Sequence, residues 1–212
     1  LGVVIDDSTY INEFTVGHLT PVSISANQSL GGVVDIYSNG NLQLNNSGTL
    51  SATVTVKGDS FGSGTAGGKI EVKETMTFSG TLQQTTDHNG LEIKIDPGKI
   101  MTYTGSGFNI EDHTLKLSGG GTFDNTNNLI IDNAGSKLSI SDSTRASRVL
   151  VSASSAGNGI TISASAASAG NLVDNLQLSS SLSVTSDAAW SVGSMTAGSA
   201  LTFSNDKNLS IG

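Results

Sequence analysis

The chain has 212 residues, with Lys+Arg 10 against Asp+Glu 18 and a formal charge of −8, a balance that excludes the clustered cations nucleic acid and anionic membranes require. Charged residues make up only 13%, and 26 glycines among abundant Ser, Thr and Asn take their place, which excludes long amphipathic helices with their Glu, Lys, Arg and Leu surfaces. The absence of cysteine removes disulfides, thiolate nucleophiles and Cys-based metal sites, whereas hydrophobic residues at 36% still provide a core.

In chain order, the opening LGVVIDDSTY lacks a basic region followed by an apolar run. Residues 1–30 fit the later pattern least well and are expected to form an N-terminal cap or extended arm. Val22-Ser23-Ile24 and Leu42-Gln43-Leu44 introduce apolar-x-apolar triplets, the period-two signature of a strand. The regular series starts at Leu50-Ser51-Ala52 and continues through Ile70-Glu71-Val72, Leu91-Glu92-Ile93, Leu115-Lys116-Leu117, Leu138-Ser139-Ile140, Ile160-Thr161-Ile162, Leu182-Ser183-Val184 and Leu201-Thr202-Phe203. A second series runs half a period behind, through Met76-Thr77-Phe78, Ile100, Phe123, Val149-Leu150-Val151, Leu172, Trp190-Ser191-Val192 and Leu209-Ser210-Ile211. Gly- and Asn-rich runs such as Gly119-Gly120-Gly121 and Asn125-Thr126-Asn127-Asn128 separate the triplets, and both residue types tolerate the positive φ of sharp corners.

A period of about 22 residues, with at least two short strands in each and no helix between them, predicts an all-β fold. The expected architecture is a single-stranded parallel β-helix (β-solenoid) over residues 31–212. Eight or nine coils at about 4.8 Å each make a rod of about 40 Å. No run of about 18 apolar residues occurs, so no membrane insertion by a helix is expected.

The densest charge constellation is IEVK (Ile70 to Lys73) with LEIK (Leu91 to Lys94). Stacking Ile70 on Leu91 places Glu71 and Glu92 about 5 Å apart, and Lys73 and Lys94 likewise. A carboxylate pair at that spacing is the geometry of a retaining glycosidase. A Lys two residues from each Glu argues instead for a screened surface square, which Lys116 extends, so Glu71 and Glu92 are only weak catalytic candidates. His18, His88 and His113 are isolated, and no zinc site is expected. Asp124 and Asp132, with Asn125, Asn127 and Asn128, are weak calcium candidates set against ordinary turn chemistry. No GxSxG elbow occurs, Trp190 reads as core, and no cofactor is expected. Leu201, Phe203, Leu209 and Ile211 form an apolar, open sheet edge at the C-terminal coil. Either the chain is expected to continue beyond that edge, or a neighbouring subunit is expected to dock there end to end, with residues 1–30 as an added strand or lid.

LKLSGGGTFDNTNNLIIDNAGSKLSIS (Leu115 to Ser141) and GNLQLNNSGTLSATV (Gly40 to Val54) resemble the passenger regions of bacterial autotransporters and haemagglutinin-like exoproteins, over residues 31–212. The resemblance implies a right-handed parallel β-helix on or released from the bacterial cell surface, serving adhesion, aggregation or as a stalk. The expected function is a non-catalytic extracellular stalk or adhesin segment, with a host, cell-surface or glycan ligand. Two alternatives stand beside it: a subunit of a self-assembling filament, and a polysaccharide-active enzyme.

Overall fold

The structure is a computed structural model that describes residues 3–5, 9–17, 22–24, 29–45, 47–58, 67–85, 90–110, 113–132, 135–151, 159–162, 171–179, 182–186, 189–198, 201–203 and 209–212. Among the described residues there is no helix, and the strands stack in parallel as a β-solenoid built from two sheets. Sheet A has ten strands in strictly sequential order: Val3–Ile5, Val22–Ile24, Asn41–Leu44, Gly68–Val72, Leu91–Ile95, Thr114–Ser118, Lys137–Ile140, Gly159–Ile162, Leu182–Ser186 and Leu201–Phe203. Sequential parallel neighbours mean that the chain completes one circuit between each strand and the next.

Sheet B has fourteen strands and bends into two facets. Long strands run through the bend. In Leu30–Ile36, Leu30 pairs with Leu50 on the first facet, while Val33 to Ile36 pair with Thr53 to Val56 on the second. In Arg145–Val151, Ala146 pairs with Phe123 and Val149 to Val151 pair with Leu129 to Ile131. A layer therefore has three inward-facing runs. Leu91, Ile93 and Ile95 come from sheet A, Met101 and Tyr103 from the first facet, and Phe108 and Ile110 from the second; all are buried. Each such side chain removed from water stabilises the fold by about 1.5–3 kcal/mol. Tyr103 sits between Phe78 and Phe123 with ring centroids 5.1 Å and 5.8 Å away, so aromatic contacts bind three layers.

Residues 1–30 contribute strands to both sheets: Val3 to Ile5 pair with Val22 to Ile24, and Thr9–Val16 pairs with Leu30–Ile36. Three details of the expected strand series are corrected. Leu50-Ser51-Ala52 belongs to the first facet of sheet B, beside Leu30 and Phe78, and Leu42-Gln43-Leu44 takes its expected place beside Ile70-Glu71-Val72. Met101 rather than Ile100 points inward, leaving Ile100 40% exposed, because a one-residue slip moves a side chain to the opposite face. Val184 rather than Leu182 stands beside Ile160. Steps between layers also vary, from 19 residues between Leu182 and Leu201 to 28 between Leu42 and Ile70.

The Gly119-Gly120-Gly121 run makes a corner as expected. Gly119 and Gly120 have φ of 95° and 85°, and a Cβ on Gly119 would lie 2.4 Å from the Ile95 carbonyl oxygen. Their N–H groups donate to Asp142 Oδ2 (3.2 Å) and Thr144 Oγ1 (2.9 Å) of the next layer, so the turn stays hydrogen-bonded without a ladder.

Among the described residues the second facet is interrupted once. Leu82–Gln84 pairs only with Thr53–Val56, and Phe108–Asn109 pairs only with Leu129–Ile131. Side chains cross the gap between them. Tyr103 Oη accepts the Leu82 N–H at 3.2 Å, and Gln84 Nε2 donates to the Asn109 carbonyl at 3.0 Å.

Candidate functional site

The strand alternation that buries Leu42, Ile70, Ile93 and Leu117 points the intervening side chains of sheet A outward, where the register sorts them into columns. One column reads Ser23, Gln43, Glu71, Lys94 and Ser118; the other reads Asn41, Lys69, Glu92, Lys116 and Ser139. The expected face-to-face pair of Glu71 and Glu92 is thereby corrected. Ile93, not Leu91, stands beside Ile70, so Glu71 neighbours Lys94 and Glu92 lies between Lys69 and Lys116. A two-residue shift leaves every apolar side chain on its face and converts like-charge neighbours into opposite ones, which settles the register.

Glu71 is 7% exposed although it lies on the outer face, and polar groups surround it. Lys69 Nζ lies 2.5 Å from Oε1 and Lys73 Nζ 3.8 Å from Oε2. Gln43 Nε2 donates to Oε2 at 2.9 Å, and Ser23 Oγ donates to Gln43 Oε1 at 3.1 Å. Glu92 Oε1 accepts Ser118 Oγ at 2.6 Å and faces Lys116 Nζ at 3.0 Å. Burial by itself raises both carboxyl pKa values. For Glu71 it is outweighed by the hydrogen bond and charge of Lys69, then by Lys73 and Gln43; for Glu92, by Ser118, then Lys116 and the Lys69 charge. Both stay below the usual glutamate value of 4.5 and are ionised at neutral pH. A glycosidase acid needs the opposite shift.

A second polar region lies on sheet B where the first facet turns into the second. Asn125, 1% exposed, fills that bend. Its Oδ1 accepts the N–H groups of Ser147 (3.0 Å) and Arg148 (3.2 Å), and its Nδ2 donates to the carbonyls of Asn127 and Arg148, both at 2.7 Å. One amide thus satisfies the backbone left over where Arg145–Val151 changes from one partner strand to the other. Outside it, Ser147 Oγ donates to Asp124 Oδ1 at 2.9 Å, Arg145 forms an ion pair with Asp174, and a groove of about 330 Å³ opens. The nearby RASRVL is the signal in the sequence: two arginines in a stretch otherwise poor in cations, flanking the buried Ala146.

The two calcium candidates are not brought together. Asp124 precedes the Asn125 bend and is bonded to Ser147, whereas Asp132 follows Leu129–Ile131 and has a buried Oδ1 without a partner among the described residues. Among the described residues, no three His, Cys, Asp or Glu side chains group as metal ligands. His18 and His88 lie outside the described residues; the His113 carbonyl accepts the Lys137 N–H at 3.0 Å. Trp190 is buried in the core. Of the terminal apolar residues, Leu201 and Phe203 pair with Leu182 and Val184, and Leu209 and Ile211 with Trp190 and Val192; Ile211 is 52% exposed. Compared with protein-family models, curated proteins and solved structures, the chain matches none.

Proposed function

We propose that the chain is a non-catalytic, extracellular structural or adhesive β-helix, a stalk or adhesin segment of a bacterial surface protein of the autotransporter or haemagglutinin-like kind. The observation that carries this reading is the outer face of sheet A. Its buried or half-buried carboxylates are each neutralised by lysines of the same or adjacent layers and held ionised, which suits a rigid, hydrated wall and leaves neither carboxylate as a proton donor. Steps of 22 to 24 residues between successive sheet A strands from Ile70 to Ile162 support a coil of about 22 residues, eight or nine of them over residues 31–212. Sparse cations and a β-solenoid free of cysteine accord with an extracellular setting. The test is to apply the purified chain to immobilised cells and glycans while assaying polysaccharides for new reducing ends. Surface binding without cleavage is expected, and cleavage that Glu71→Gln or Glu92→Gln abolishes would overturn the reading.

A further inference from the structure

The groove at the bend of sheet B is unlike the neutralised wall of sheet A. It crosses three layers, with Asp124 in the first, Ser147 and Arg148 in the second, and Asp174 and Asn175 in the third. Its volume of about 330 Å³ falls within the range of small-ligand sites. The two arginines beside it are in different states. Arg145 is paired with Asp174, whereas Arg148 is exposed, has no ion-pair partner among the described residues and stands in register beside Asn175.

The groove is also preorganised. Buried Asn125 clamps the N–H groups of Ser147 and Arg148 and the Arg148 carbonyl, so the backbone that carries the guanidinium is fixed before any ligand arrives. Next to that anchor are groups suited to hydroxyls. Asp124 keeps its second carboxylate oxygen as an acceptor while Ser147 occupies the first, and the exposed Asn175 amide both donates and accepts.

We propose that this groove binds an acidic sugar, its carboxylate held by the Arg148 guanidinium and its hydroxyls by Asp124 and Asn175; the proposal rests on the adhesive reading above and names the ligand class. A planar guanidinium fork matches a carboxylate bidentately. Other ligand classes fit less well. A phosphate dianion brings twice the charge of a carboxylate against the flanking Asp124 and Asp174; a divalent cation meets the Arg148 guanidinium; and an apolar peptide side chain finds no aliphatic or aromatic residue among the lining residues.

The experiment titrates the full chain with glucuronate, galacturonate and N-acetylneuraminate, with their methyl esters and with inorganic phosphate. At least one acid is expected to bind, its ester at least tenfold more weakly, and added salt is expected to weaken binding. Arg148→Ala is expected to cost tenfold or more with unchanged circular dichroism, and Arg148→Lys less. Asp174→Asn removes a negative charge and leaves Arg145 unpaired, so it is expected to tighten binding, a gain that structural damage does not produce. Failure of all three acids to bind, equal binding of acid and ester, tighter binding of phosphate, or indifference to Arg148→Ala overturns the proposal. Cell and glycan adhesion is measured in parallel. Adhesion that survives Arg148→Ala sinks the site and leaves the adhesive reading, whereas acid-sugar binding without any adhesion sinks the adhesive reading and leaves the site.

Discussion

At the scale of single residues, Glu71 and Glu92 occupy equivalent outward positions but are held differently. The Glu71 side chain is 9% exposed and that of Glu92 27%, and Glu71 has two lysines and an amide around it. Glu71→Gln is therefore expected to lower unfolding free energy by about 1–2 kcal/mol, because it removes a charge from charge-assisted bonds in a nearly closed site. Glu92→Gln is expected to cost less than about 1 kcal/mol, as more exposed pairs do. Urea titrations of the two variants check the order, and equal losses would contradict it. Both folded pKa values lie below 4.5, so the stabilisation these carboxylates contribute is complete at pH above that value and is lost as pH falls through their folded pKa values. Urea midpoints from pH 7 down to pH 3 are expected to drop below about pH 4.5, and the Glu71→Gln, Glu92→Gln double variant is expected to flatten part of that drop. Tyr103 makes a further test. Burial pushes its phenol above the ordinary value of 10.0, and its oxygen is the acceptor for the Leu82 N–H. Tyr103→Phe keeps the ring contacts and orphans that donor, at an expected cost of about 1–3 kcal/mol in thermal or urea unfolding; no loss would mean that the gap supplies another acceptor.

At the scale of strands and corners, the sequence carries most of the fold and little of the register. Period-two triplets revealed which residues face inward at Ile70, Ile93, Leu117 and Leu138, because burial of one face of a pleated strand leaves a pattern that needs no partner. The pairing of one triplet with the next is not in that pattern, since a shift by two residues satisfies it equally. Charge broke the tie: only the shifted register sets Glu92 between Lys69 and Lys116. The third inward run, at Phe108 and Leu129, was missed because strands of two or three residues carry hardly one period. Asn125 was legible as a turn residue, but its role was not, since whether an amide faces solvent or plugs a bend depends on a strand 23 residues away. Asn125→Ala leaves the N–H groups of Ser147 and Arg148 unsatisfied in a closed bend and is expected to cost about 2–4 kcal/mol. Asn127→Ala, at an exposed position with a single bond to the Gly105 carbonyl, is expected to cost about 1 kcal/mol or less. Reversal of that order in thermal unfolding would remove the plug from the account.

At the scale of the whole molecule, a solenoid is held by nearest-neighbour coupling between layers, so its weakest boundary is set by the poorest interface. Sheet A is unbroken across all ten of its strands. The second facet of sheet B is not, because Leu82–Gln84 and Phe108–Asn109 have no ladder between them. Thr85 donates to Val56 and the Thr81 carbonyl accepts from Val54, so Thr81, Gln83 and Thr85 turn their backbone groups toward Thr53–Val56. By strand alternation, Leu82 and Gln84 turn theirs toward the gap. Two side-chain bonds, from Tyr103 and Gln84, stand in for the missing ladder. Opening the second facet at this seam breaks two side-chain bonds in place of a ladder, and native-state hydrogen exchange reads such local openings residue by residue. The amides of Leu82, Gln84 and Asn109 are expected to exchange in a less protected class than those of Ile93 and Leu117 in sheet A, whose neighbours on both sides are paired. Gln84→Ala removes one of the two bridges, and it is expected to speed exchange at the Leu82 amide while leaving Ile93 and Leu117 unchanged. If the Leu82 amide is as protected as Ile93 in the wild type, or if Gln84→Ala alters sheet A to the same degree, the layers open as one cooperative unit and the gap is not a seam.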